Sequence, residues 1–107
     1  MTDFNDRQKG EERKFAMDEE TAFRVAARRN RLLGQWAADK LGLTPEETAA
    51  YSKEVVQADF EEAGDEDVIR KVLGDLVGAG CDVDEAEVRS ALEQKAVEAK
   101  RQLMSES

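Results

Sequence analysis

From about residue 18 onward apolar side chains recur every three or four positions and never settle into sustained alternation, so the chain reads as helix throughout. Phe23, Ala26, Asn30, Leu33, Ala37 and Leu41 trace one face of a first helix from about Asp18 to Leu41, which Gly42 stops. The run Thr44-Pro45-Glu46-Glu47 opens a second helix. Thr44 suits the cap, Pro45 suits the first helical position because its missing N–H had no partner there, and Glu47 can close a capping box. That helix presents Ala49, Ser52, Val56 and Phe60 on one side, with Val55 beside them, and ends before Gly64. Asp65 stands as the N-cap of a third helix, whose Val68, Ile69, Val72, Leu73, Leu76 and Val77 form a two-column stripe that must be buried, and Gly80 offers a left-handed stop. Asp84, with Glu87 three residues on, caps a fourth helix carrying Val88, Leu92, Ala96, Ala99 and Leu103 on one face. Connections of a few residues favour antiparallel neighbours. The expected fold class is all-α, a single four-helix bundle-like domain over residues 18–104. A tail from Ser105 to Ser107 is expected to fray.

Residues 1–17 fall outside this pattern. They hold eight charged side chains and few apolar ones, Phe4, Phe15, Ala16 and Met17 after Met1, too few to dock firmly. Asp6, Glu11 and Glu12 are nevertheless mixed with Arg7, Arg13 and Lys14, a combination that supports a helix once a partner supplies an apolar contact. The segment is therefore expected to be mobile, disordered or a loosely formed helix, in the free protein and helical when bound.

Composition narrows the chemistry. A chain of 107 residues buries about 65% of its unfolded surface, enough for one modest core. It has no histidine and one cysteine, Cys81, which removes hydrolytic triads, zinc chemistry and a disulfide scaffold. Cys81 has no histidine to activate it and reads as a bystander in a reducing compartment. The formal net charge is -9, from 25 acidic and 16 basic side chains. Residues 1–31 carry seven acidic and eight basic groups, so the +1 front is attached to a -10 body. Such a body repels nucleic acid. Neither a secretory leader nor a membrane span is readable, and the expectation is a cytoplasmic protein, monomeric when free.

Three constellations could carry chemistry. Arg24, Arg28 and Arg31, with Arg29 beside them, form a basic stripe on the first helix that could grip phosphates or carboxylates, although pairing with Glu20 and with the acidic run from Glu61 to Asp67 accounts for it more simply. Trp36 reads as a packing group rather than an interface anchor. Asp82, Asp84 and Glu93 imitate positions one, three and twelve of a calcium loop, but Glu87 replaces the required glycine, and Val88 and Leu92 belong to a helix stripe. No phosphate-cradling glycine loop occurs. Without a nucleophile–base pair, an enzyme is not expected.

Two blocks, Ala27-Arg28-Arg29-Asn30-Arg31-Leu32-Leu33-Gly34 followed by Trp36-Ala37-Ala38, and Asp59-Phe60-Glu61-Glu62-Ala63-Gly64-Asp65-Glu66-Asp67-Val68, closely resemble the zeta subunit of alphaproteobacterial F-type ATP synthases. Lys14-Phe15-Ala16 and Asp18-Glu19-Glu20 extend the similarity nearly end to end. The resemblance implies a four-helix fold whose N-terminal segment inhibits ATP hydrolysis at the catalytic alpha/beta interface near the central shaft. The implied partners are the alpha and beta subunits and that shaft, reached at the cytoplasmic face of the membrane. Phe4 and Phe15 would anchor the segment, Arg7, Lys9, Arg13 and Lys14 would meet carboxylates, and Asp6 and Glu11 would complete the partner-binding set. No cofactor is implied beyond weak ATP or ADP binding. The alternative reading is therefore a small adenine-nucleotide-binding regulatory module using Arg28, Arg29 and Arg31.

Overall fold

The computed structural model describes residues 19–58 and 65–106. Four helices make up the described structure: α1 (Glu19–Leu41), α2 (Pro45–Ala58), α3 (Glu66–Gly78) and α4 (Glu85–Glu106). The all-α, four-helix reading holds, and no strand occurs among the described residues. Residues 1–17, Phe60 and Gly64 lie outside them, so the segment expected to be mobile and the expected end of the second helix are not described.

The helix punctuation follows local chemistry at most ends. Gly42 and Gly80 adopt φ of 73° and 85°, left-handed conformations that cost a side-chain-bearing residue a clash. Thr44 and Glu47 form the reciprocal capping box: the Glu47 amide donates to Thr44 Oγ1 at 3.1 Å and the Thr44 amide donates to Glu47 Oε1 at 2.9 Å. Asp84 Oδ1 accepts from the Glu87 amide at 2.9 Å, while the Glu87 carboxylate reaches across to Lys40 Nζ at 3.5 Å.

Asp65 departs from expectation. It makes no side-chain cap, because its backbone is already helical (φ -96°, ψ -3°) where a capping residue takes an extended conformation. Its carboxylate instead meets Arg29 Nη1 at 3.1 Å and ties the start of α3 to α1.

Leu33, Ala37 and Ala38 of α1, Tyr51 and Val55 of α2, Val68, Ile69, Val72 and Leu76 of α3, and Val88, Ala91 and Leu92 of α4 form one core cluster. Trp36, Leu41, Leu43, Leu73, Cys81 and Val83 seal its edges. Trp36 is partly buried against the core, as expected, with Lys40 Nζ 5.1 Å from its ring centroid. The close approach of α1 to α2 depends on Gly34, where an added Cβ would lie 2.7 Å from Ser52 Cα.

Burial corrects several periodicity assignments. On α2 the buried residues are Tyr51, Ser52, Val55 and Ala58, whereas Ala49 is exposed and Val56 half-buried. The core-facing side is thus centred nearer Val55 than the sequence spacing suggested. On α3 the column Ile69, Leu73, Val77 passes from buried through half-buried to exposed, so Val77 is not a core residue. Phe23 lies on the α1 stripe seven residues before Asn30 yet is 55% exposed. Glu106, at the end of α4, already meets Arg28, so the first turns of α1 run past the end of its neighbour. Ser105 and Glu106 continue α4 as helix, and Ser107 lies outside the described residues.

Candidate functional site

The basic stripe on α1 does not converge on one site. Arg24 pairs along its own helix with Glu20 at 3.6 Å. Arg28, with 23% of its side chain exposed, turns to α4, donating from Nη1 to Glu106 Oε2 at 2.6 Å and to Gln102 Oε1 at 3.2 Å. Arg29 is more enclosed, at 13% exposure; Nη1 meets Asp65 and Nε donates to Asn30 Oδ1 at 2.9 Å. Arg31 is exposed and points another way, lining a shallow depression between α1 and α2 with Gln35, Ala49, Ser52, Lys53 and Val56. Of the three arginines singled out for a nucleotide, two therefore clamp α1 to its neighbours.

The acidic run plays the complementary part. Asp65 holds Arg29, Asp67 pairs with Arg70 at 2.8 Å, and Glu66 receives a two-pronged grip from Arg89, Nη2 to Oε1 at 2.7 Å and Nη1 to Oε2 at 3.1 Å. Arg89 also donates to Glu85 at 2.7 Å. The Arg89 hydrogen bond holds the Glu66 carboxyl below the usual carboxylate range, and the Arg28 hydrogen bond does the same to Glu106.

A second network joins α2 to α3. Tyr51 Oη donates to Asp75 Oδ2 at 2.8 Å, and Lys71 Nζ bridges Glu54 at 3.1 Å and Asp75 at 3.2 Å. Burial first, then the bond to Asp75, pushes the Tyr51 phenol far up. Partial burial pulls Lys71 down, but its bonds to Glu54 and Asp75 outweigh that pull and leave it raised. Two polar atoms, Asn30 Nδ2 and Ser52 Oγ, are buried without a hydrogen-bond partner among the described residues. Ser52 Oγ is turned toward Gly34, 3.0 Å from where its Cβ would stand, and so belongs to the helix crossing. The Asn30 network is one that periodicity missed, since an asparagine on an apolar stripe carries no sign of the arginine beside it.

The side chains expected to bind a partner, Phe4, Asp6, Arg7, Lys9, Glu11, Arg13, Lys14 and Phe15, all lie outside the described residues. Among the described residues no cluster of metal-ligating side chains occurs, and no helix is long and apolar enough to cross a membrane.

This arrangement defines a small all-helical domain whose enclosed arginines, Arg28 and Arg29, fasten its own helices together. The sequence model for "ATPase inhibitor subunit zeta" matches residues 1–102, and the chain belongs to that family. Three chains of solved structures also match. One, determined by solution NMR, is 55% identical in sequence with a TM-score of 0.71, the alignment covering 79% of this chain and 96% of that one. No curated protein matches.

Proposed function

We propose that this inhibitor subunit blocks ATP hydrolysis by a rotary F-type ATP synthase by inserting residues 1–17 at the catalytic alpha/beta interface, next to the central shaft. The observation that carries the reading is the family match, which begins at residue 1 and so takes in the segment as well as the four-helix body. Phe4 and Phe15 supply the apolar anchors, and Arg7, Lys9, Arg13 and Lys14 supply cations for an acidic cleft. The four-helix domain from residue 18 onward is the handle that holds the segment at the enzyme, on the cytoplasmic side of the membrane. Ordering a charged segment of this length costs several kcal/mol, on the order of 2–5, so binding must select the rotary state that returns most contact.

The test is hydrolysis by the cognate rotary ATPase in the presence of purified protein. The full chain is expected to lower the rate and a chain lacking residues 1–17 to leave it unchanged. Undiminished hydrolysis with the full chain at saturation would overturn the proposal. The adenine-nucleotide reading has less support, because Arg28 and Arg29 would have to leave Glu106 and Asp65 to reach a phosphate. A chemical-shift titration with ATP checks it directly: only displacement of the α1 signals around Arg28, Arg29 and Arg31 would favour it.

A further inference from the structure

Exposed apolar groups on α4 lie on the face turned away from the core. Val97 is 64% and Met104 52% exposed, and with Ala96, Lys100, Arg101 and Ser105 they line an open depression of about 460 Å³. The cations there differ from the others on this helix. Arg89 is met by Glu66 and Glu85, and Lys95 by Glu98, whereas Lys100 and Arg101 make no ion pair with any described residue. In a chain of net charge -9, two cations unmatched among the described residues and framing two exposed apolar side chains present a surface for an acidic, apolar ligand.

Antiparallel pairing with α4 of a second copy fits poorly, since it would set Lys100 and Arg101 against their own equivalents. The chain itself contains a better complement in Asp3-Phe4-Asn5-Asp6, a phenylalanine between two carboxylates. Reach permits the contact. Arg28 marks the level of Gln102 and Glu106, nine residues along α1 from Glu19, an axial distance of about 13 Å. The residues between Phe4 and Glu19 can span up to about 50 Å when extended. We propose that residues 3–6 dock intramolecularly on this face of α4, with Phe4 between Val97 and Met104 and with Asp3 and Asp6 against Lys100 and Arg101. The contact is intramolecular and Lys100 and Arg101 are solvent-exposed, so it is weakened by salt and in equilibrium with a released form. Resting on the inhibitory reading above, one consequence follows: the segment is held on its own domain until the enzyme competes for it.

The experiment uses the full chain with Thr2→Cys and Cys81→Ser, a nitroxide on position 2, and amide signals read by NMR. Selective broadening of residues 97–104 relative to residues 68–76 of α3 is expected. It should disappear at high salt and in K100E/R101E, and return when that pair is combined with D3K/D6K. Broadening spread evenly or centred on another face would overturn the docking. So would broadening seen only between spin-labelled and isotope-labelled copies, which assigns the face to a second molecule, or only after the rotary ATPase is added, which assigns it to that partner. Hydrolysis assays separate this proposal from the inhibitory one. If docking is right, K100E/R101E inhibits at lower concentration than the unaltered chain; an unchanged inhibitory concentration counts against the competition. If the inhibitory reading alone fails, the broadening persists although no variant inhibits.

Discussion

Gly34 and Gly74 are both helical glycines, and they answer opposite demands. At Gly34 a methyl group would meet the Ser52 backbone at 2.7 Å, so α1 and α2 would have to separate over the Leu33 and Val55 contacts; at Gly74 nothing lies within 4 Å of the added atom. Gly34→Ala is therefore expected to destabilise by about 1–3 kcal/mol despite the better helix propensity of alanine. Gly74→Ala is expected to stabilise by up to about 1 kcal/mol through that same propensity. Thermal unfolding followed by circular dichroism measures both, and an unchanged midpoint for Gly34→Ala would mean that the helices can part without loss. Sequence alone gives the two glycines the same helix-weakening role. Only the neighbour across the interface distinguishes them.

Element ends separate residues that look alike as caps. Thr44 and Asp65 both stand one residue before a helix, but only Thr44 satisfies an amide of the turn it precedes. Thr44→Ala is expected to cost about 1 kcal/mol, the usual loss for an N-cap. Asp65→Ala removes instead the ion pair with the enclosed Arg29, half-exposed on the Asp65 side, with an expected loss of about 1 kcal/mol that shrinks at high salt. Urea unfolding of both variants at two salt concentrations checks the distinction: a salt-insensitive loss at Asp65 would show that it works as a cap after all. The capping box at Thr44 is legible because all its partners lie within four residues. Asp65 is misread because its partner is 36 positions away in the chain.

Over the whole molecule, the absence of histidine leaves stability with little reason to change around neutral pH. Glu66 and Glu106 have folded-state pKa values below their ordinary 4.5, so the stability they contribute is complete above that value and is lost as the pH falls through the depressed ones. Tyr51 and Lys71 are raised above 10.0 and 10.5, so their contribution is complete below those values and is lost as the pH rises beyond them. The expected profile of unfolding midpoint against pH is flat from about 6 to 9 and falls on both sides. E66Q/E106Q should flatten the acid limb and Tyr51→Phe the alkaline one. A bell centred within the neutral range would contradict this assignment. The charge arithmetic acquires structure at this scale: the acidic body uses Asp65, Glu66 and Glu106 to bind its own arginines, while Lys100 and Arg101 remain unmatched among the described residues.

By itself the sequence determined the helical class, the places where α1 and α3 stop, the caps at Thr44 and Asp84, and the family resemblance. Each depends on residues close together in the chain or on a pattern carried in one dimension. Tertiary structure decided that Arg28 and Arg29 are clamps between helices, that Val77 and Ala49 face outward, and that α4 stays helical through Glu106. The physical reason is that burial and ion pairing depend on which neighbour runs alongside a given turn, and periodicity gives the direction of a face without the length of the helix that covers it.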